Sequence, residues 1–371
     1  MIKKTSNVFW CKDCLVMSTR PRITFDKEGV CSACQWFKKK KKINWKNRQI
    51  FLKKLLKKNK KKNFDCIVPV SGGKDGSYVA YNLKFKYGMN PLCVTIRPPL
   101  ETSLGLKNLV SFLNVGFDHV HITPNEEAMR VLNKIGLTEM GFPYYGWLVA
   151  IHSAVIKVAI NFNINLIFYA EDGEVEYGGD AKLAYNPIYS ADYIISNYLE
   201  SGYKKVLKKS FLDSKLLYWF LLPSVKEIRE KKISITHWSF FEDWDPYRNY
   251  IFAKKHCGLE EANEANEGSY TNFAQTDQKL YPLHTYFMYL KYGFGRANQD
   301  ASIDIRRGSL TRAQGIELVN RYDNCYPEKL IDEYCKYYQM SNKEFLDNID
   351  KWVNKSLFEK RNIWTPKFKV K

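Results

Sequence analysis

Residues 67–77 read Ile-Val-Pro-Val-Ser-Gly-Gly-Lys-Asp-Gly-Ser, a short apolar run that passes through two adjacent glycines into a segment carrying charge and hydroxyls. An apolar run of this length ending in glycine is a buried strand, and the residues that follow, 77–87, have the pattern of a helix. Strand, tight turn and helix in that order open a parallel α/β sheet. Further strands are predicted at 92–96, 120–122 and 166–169, with helices at 105–114, 126–135 and 144–162 between them. The alternation predicts a doubly wound parallel sheet with helices on both faces. Beyond Pro223 the chain turns aromatic-rich, and from Arg312 it is mostly helical. The expected organisation is a cysteine module at 1–36, a basic amphipathic helix or linker at 37–63, the α/β domain at 64–222, and a mainly helical substrate or partner region at 223–371.

The glycine turn has a chemistry of its own. Gly72 and Gly73 can take positive φ and let the backbone approach a ligand, while the helix behind them offers free N–H groups and its positive dipole end to an anion. Lys74 adds a point charge for phosphate, Ser71 and Ser77 add hydroxyls, and Asp75 suits orienting donors or holding Mg²⁺. The spacing is not that of a Walker loop, which needs four residues between its first Gly and Gly-Lys.

Four of the nine cysteines fall in the first 34 residues, as Cys11-x2-Cys14 and Cys31-x2-Cys34 with sixteen residues between the pairs. That spacing is a tetrahedral zinc pattern. Four thiolates close the coordination sphere and leave no position for water, so the expected ion is structural Zn²⁺. Cys66 and Cys93 lie on predicted strands and read as core residues. His119 and His121 share one strand face without a third ligand and read as packing residues.

The chain carries 58 Lys and Arg against 39 Asp and Glu, a net charge of +19, which raises the question of a nucleic-acid partner. Residues 38–62 alone hold 13 Lys and one Arg and no acid; without those fourteen, 44 bases face 39 acids. The excess is one helix face, with Phe51, Leu52, Leu55 and Leu56 at helical spacing on the other. A nucleic-acid partner is therefore not expected. Hydrophobic residues at 45% and charged residues at 26% exclude a disordered chain. No segment reaches the ~20 apolar residues of a membrane span, since 144–160 is interrupted by His152 and Lys157, and no signal peptide is visible; the expected location is the cytoplasm.

The turn resembles the PP-loop of ATP pyrophosphatases, the SGGxDS signature of GMP synthetase, asparagine synthetase, argininosuccinate synthetase and the tRNA thiolases. Gly76 stands where that family has its final Ser, with Ser77 one place on. The chain as a whole is similar to the N-acetyl sugar amidotransferases, which convert an acetamido group of a bacterial surface sugar into an acetamidino group. The resemblance rests on the cysteine pattern with its approach at 23–34, on 65–77, on Leu104 to Leu109, on Glu171-Asp172-Gly173-Glu174-Val175-Glu176-Tyr177-Gly178-Gly179, on Gly293 to Ala297 and on Asp300 to Arg306.

It implies a PP-loop (HUP-like) α/β fold with an N-terminal zinc ribbon and a mostly helical C-terminal region. It also implies a reaction in which the amide oxygen of an N-acetylated sugar attacks the α-phosphorus of ATP with Mg²⁺, and ammonia then displaces AMP. Residues 71–77 would hold ATP, and Lys74, Asp75, Glu171 and Glu174 are the expected catalytic set. Asn108, Asp172, Glu176, Tyr177, Gly178, Arg296 and Arg306 are expected at the sugar. The acidic stretch follows a strand end, where open α/β sheets bind ligands, and its carboxylates suit sugar hydroxyls, Mg²⁺ or proton removal from ammonia. Arg296, Arg306 and Arg307 suit a nucleotide or a carboxylate on the sugar.

The expected product belongs to lipopolysaccharide O-antigen, capsule or flagellin glycan, and the substrate is a nucleotide-activated sugar or nonulosonic acid. The alternative is a tRNA-modifying PP-loop enzyme, but no Cys-x2-Cys follows Cys34 to carry sulfur. No cysteine has the context of a glutaminase nucleophile, so a separate glutaminase subunit is expected to supply ammonia.

Overall fold

The central strands are buried along nearly their whole run and send alternate side chains into two cores, as a sheet covered on both faces requires. The computed structural model describes residues 8–170, 173–180, 182 and 184–371. Five parallel strands, β1 (Cys66–Pro69), β2 (Pro91–Ile96), β3 (Asp118–Ile122), β4 (Leu166–Tyr169) and β5 (Ser234–His237), lie in the order β3-β2-β1-β4-β5. Ile67, Leu92, Val94, Ile167 and Ile235 point into one core, and Cys66, Val68, Cys93, Leu166 and Phe168 into the other. The first core is covered by the helix Tyr145–Asn161, the second by Lys74–Tyr81 and Ser103–Leu113. The outer strand β3 carries Asp118, His119 and His121, polar side chains that suit a sheet edge.

β2 to β4 fall within a residue or two of their predicted positions. The helix after the glycine turn begins at Lys74, three residues early, and ends in a π-helical turn at Asn82–Lys86. The strand β5 was not expected. It pairs β4 from Leu166↔Ser234 to Tyr169↔His237, so the sheet runs past residue 222, where composition suggested a boundary. The helix Pro246–Cys257 packs on Lys74–Tyr81, and one core runs from Ile67 through Tyr334 and Phe345 to Phe358. The C-terminal helices thus share the core of the sheet.

The basic segment folds as two helices, Ser32–Lys40 and Trp45–Asn59. Leu52 and Leu56 are buried beside Cys66 and Val68, while Phe51 is exposed apart from a ring contact with Phe241. Among the described residues, no helix is long and apolar enough to cross a membrane.

Candidate functional site

The chain leaves β1 toward β2 and returns on the other side of β1 to form β4. This is the switch point at which open α/β sheets form a crevice beyond their strand ends. The glycine turn sits there. Gly72 has φ +77°, and a Cβ on it would fall 2.3 Å from the backbone nitrogen of Leu109, so no other residue fits. Gly73 precedes the helix Lys74–Tyr81 and offers no side-chain cap, leaving the first-turn N–H groups to face a ligand. At Gly76 a Cβ would lie 2.9 Å from the carbonyl oxygen of Pro69. Glycine there lets the helix press on β1, and the place of the family serine has no hydroxyl. Ser77 does not replace it: its Oγ is fully buried and without a hydrogen-bond partner among the described residues.

A cavity of about 250 Å³ opens in front of the turn, walled by Ser71, Gly73, Lys74, Asp75 and Gly76 on one side and by Phe273 to Asp277, Tyr281 and Arg296 on the other. Lys74 pairs with Asp75, whose second oxygen accepts from Asn249 Nδ2 at 2.8 Å. Asp75 therefore holds the lysine head and is itself held from the helix Pro246–Cys257. The opposite wall is tied down by Thr102, which donates to the Thr276 carbonyl and whose N–H reaches the Asp277 carbonyl at 3.1 Å. Burial pushes the Asp277 carboxyl up to about 6, so in this cavity it can exchange a proton near neutrality. Asn249, Asp277 and Tyr281 lie in segments with no motif, and sequence reading had no signal for them.

Asn108 also lines the cavity, but both ends of its amide are taken by the Glu260 backbone, at 3.0 and 2.8 Å. Its side chain is a clamp on the 260 loop. Arg296 reaches the cavity from the start of the helix Arg296–Arg306, where its Nε bonds Asp300 at 2.9–3.0 Å.

The four cysteines come together as their spacing predicts. A tetrahedral zinc with bonds of about 2.3 Å needs sulfur pairs about 3.8 Å apart. Cys11 and Cys34 are 3.8 Å apart and Cys14 and Cys31 3.7 Å, with all four sulfurs within 4.8 Å and buried. The N–H groups of Val16 and Cys31 point at Cys14 Sγ and Cys11 Sγ at 3.4 and 3.2 Å, the donors that thiolate ligands require. The residues fit the ion, with no position left open.

The acidic stretch after β4 holds the main departure from expectation. Glu171 and Asp172 lie outside the described residues. Glu176, expected at the sugar, is buried and accepts from Lys40 Nζ at 3.0 Å and from Trp36 Nε1 at 3.3 Å, both on the helix that carries Cys34. Gly178 accepts from Ser32 Oγ at 2.6 Å and packs so tightly that a Cβ would lie 2.6 Å from the Ala33 nitrogen. Arg306, also expected at the sugar, points at Cys14 Sγ (3.8 Å) and the Glu176 carbonyl (3.4 Å). All three seat the cysteine module against the sheet. The reason is electrostatic: a cluster of thiolates and a buried carboxylate draw the nearest cations away from the crevice.

Tyr177 packs on Trp244 and under the Arg20 guanidinium. Glu174 is paired with Arg22, 2.7 Å from Nε, and accepts from the Asp180 N–H at 3.0 Å. It borders a separate cavity of about 160 Å³ with Arg20 and His284.

Fold and site together define an α/β protein with a glycine turn at its switch point and a four-cysteine module docked beside it. Residues 267–370, which supply the far wall of the turn's cavity, match the family model described as the C-terminal domain of WbpG-like LPS biosynthesis proteins. That part of the chain is thus similar to proteins of lipopolysaccharide synthesis. No curated protein matches the chain.

Proposed function

We propose that the protein is an ATP-dependent amidotransferase that forms AMP and diphosphate and converts the acetamido group of a sugar into an acetamidino group. The observation that carries this reading is the joint cavity: a Ser-Gly-Gly-Lys-Asp turn at the switch point faces a wall built from the part of the chain that is similar to lipopolysaccharide-synthesis proteins. An amide oxygen is a poor leaving group. Its attack on the α-phosphorus of ATP expels diphosphate and leaves an O-adenylyl imidate, from which ammonia, adding at the same carbon, expels AMP.

The turn's N–H groups and Lys74 would stabilise the charge that gathers on the departing diphosphate, with Mg²⁺ sharing it. Asp75 and Asn249 keep the lysine in place. Asp277, which lines this cavity, is better placed than Glu174 to take the proton that ammonia loses. In this reading a separate glutaminase subunit delivers the ammonia, and the sugar is a nucleotide-activated acetamido sugar or a nonulosonic acid.

The test incubates the protein with ATP, Mg²⁺ and ammonium chloride against a panel of such sugars. The expected outcome is AMP release with a product in which NH has replaced one oxygen by mass. AMP formed only with tRNA would overturn the reading, and glutamine-driven turnover by the lone chain would remove the glutaminase subunit from it. Lys74→Ala is expected to lower AMP formation at least 100-fold with the melting temperature unchanged.

A further inference from the structure

Glu176, Gly178 and Arg306, expected at the sugar, are committed to the cysteine module and Asn108 to the 260 loop, so the acceptor needs another place. A second cavity, of about 260 Å³, shares Lys74, Phe273, Ala274 and Arg296 with the cavity of the glycine turn. The two are therefore chambers of one cleft with Lys74 and Arg296 in the common wall. The second chamber has aromatic faces, Tyr247, Tyr270 and Phe273, and a floor of carboxylates, Asp300 and Asp304.

Its charges are balanced within the chamber. Asp300 pairs with Arg296 at 2.9 Å, and Asp304 accepts from Tyr270 Oη at 2.8 Å and lies 3.5 Å from Arg307. Arg307 also reaches Asp245 at 3.3 Å and sits over the Tyr247 ring, 5.5 Å from its centroid. Phe273 is braced by stacking on Tyr250, centroids 4.0 Å apart.

We propose that this chamber binds the acetamido-bearing ring of the acceptor sugar; the assignment rests on the amidotransferase reading. The chamber's carboxylates, Asp300 and Asp304, can accept from ring hydroxyls, as Asp304 already accepts from the Tyr270 hydroxyl. The C–H face of a pyranose and an acetyl methyl pack on the tyrosine and phenylalanine faces. The nucleotide has room in the first chamber, whose wall is the glycine turn itself, Ser71 and Gly73 to Gly76. The two substrates would then meet at Lys74.

Saturation-transfer NMR on the zinc-loaded full chain tests this, with N-acetylglucosamine, N-acetylgalactosamine and N-acetylmannosamine as probes and the acetyl methyl as the reporter. N-methylanthraniloyl-ATP fluorescence follows nucleotide binding in parallel. The wild type is expected to transfer saturation to at least one probe. Tyr247→Ala, at a half-exposed ring that no core depends on, and Asp304→Asn should each cut that transfer at least fivefold, with the nucleotide affinity within twofold of wild type.

Arg20→Gln, in the cavity beside Glu174, should leave both readouts unchanged. The proposal is overturned if no probe receives saturation, if both chamber variants leave transfer intact, if Arg20→Gln abolishes it, or if nucleotide affinity falls along with transfer in the chamber variants. Failure of the amidotransferase reading has a different signature: the nucleotide analogue does not bind the wild type, while the sugar readout still reports on the chamber.

Discussion

Gly72 and Gly73 are adjacent and alike in sequence, yet they are not equivalent. Gly72 is held at positive φ with the Leu109 backbone where a Cβ would go, whereas Gly73 has an ordinary φ and its nearest such neighbour is Ser71 Oγ at 3.3 Å. Gly72→Ala is expected to cost about 3 kcal/mol or more in denaturant unfolding, and Gly73→Ala about 1 kcal/mol or less. Equal costs would mean that the turn is not held as described. His237 gives a pH prediction. It is buried against Tyr189 with Nδ1 unpartnered among the described residues, and burial first, then His152, brings its pKa down to about 3. The unfolded chain takes up that proton near pH 6.5 and the folded one does not, so this residue's contribution is intact above pH 6.5 and is lost as pH falls. Urea melts of His237→Phe should therefore gain on wild type by roughly 1 kcal/mol per unit between pH 6.5 and 5. A constant difference would show that the ring titrates normally in the fold.

At the scale of elements, the segment after β4 joins the sheet to the cysteine module. Lys40 and Glu176 are both buried, and Lys40 also reaches Asp243 at 2.6 Å. Taking one partner from a buried pair leaves an uncompensated charge, at about 3–5 kcal/mol. Lys40→Met is expected to destabilise by that amount, and adding Glu176→Gln, which keeps an acceptor for Trp36 Nε1, should restore at least half. A double variant as unstable as the single would show that the charge pairing does not set the docking. The motif around Glu174 to Gly179 was legible as a cluster of special residues in a meaningful place. Its purpose was not, because a carboxylate bound for solvent, sugar or lysine has the same letter. Only the arrival of the helix Ser32–Lys40, some 140 positions earlier in the chain, decides among them.

Across the whole molecule, fourteen of the basic residues fall in 38–62, on two docked helices and the turns beside them, and the rest of the chain has only 44 bases against 39 acids. Changing Lys53, Lys54, Lys57 and Lys58 to Gln, all solvent-facing, should leave ammonium-dependent AMP formation within twofold of wild type. A loss of tenfold or more would bring a polyanionic partner back into consideration. The sequence by itself determined the parallel α/β architecture, the glycine turn at the end of its first strand and the four-cysteine site. Each is set by local chemistry: short apolar runs alternating with helical stretches, a backbone conformation open only to glycine, and thiolates at fixed spacing. The tertiary structure alone decided that the sheet takes a fifth strand from beyond residue 222, that Glu176, Gly178 and Arg306 seat the cysteine module, and that Asn249, Asp277 and the chamber beside Lys74 complete the cleft. Those roles depend on contacts between segments far apart in the chain, whose partners no local pattern names.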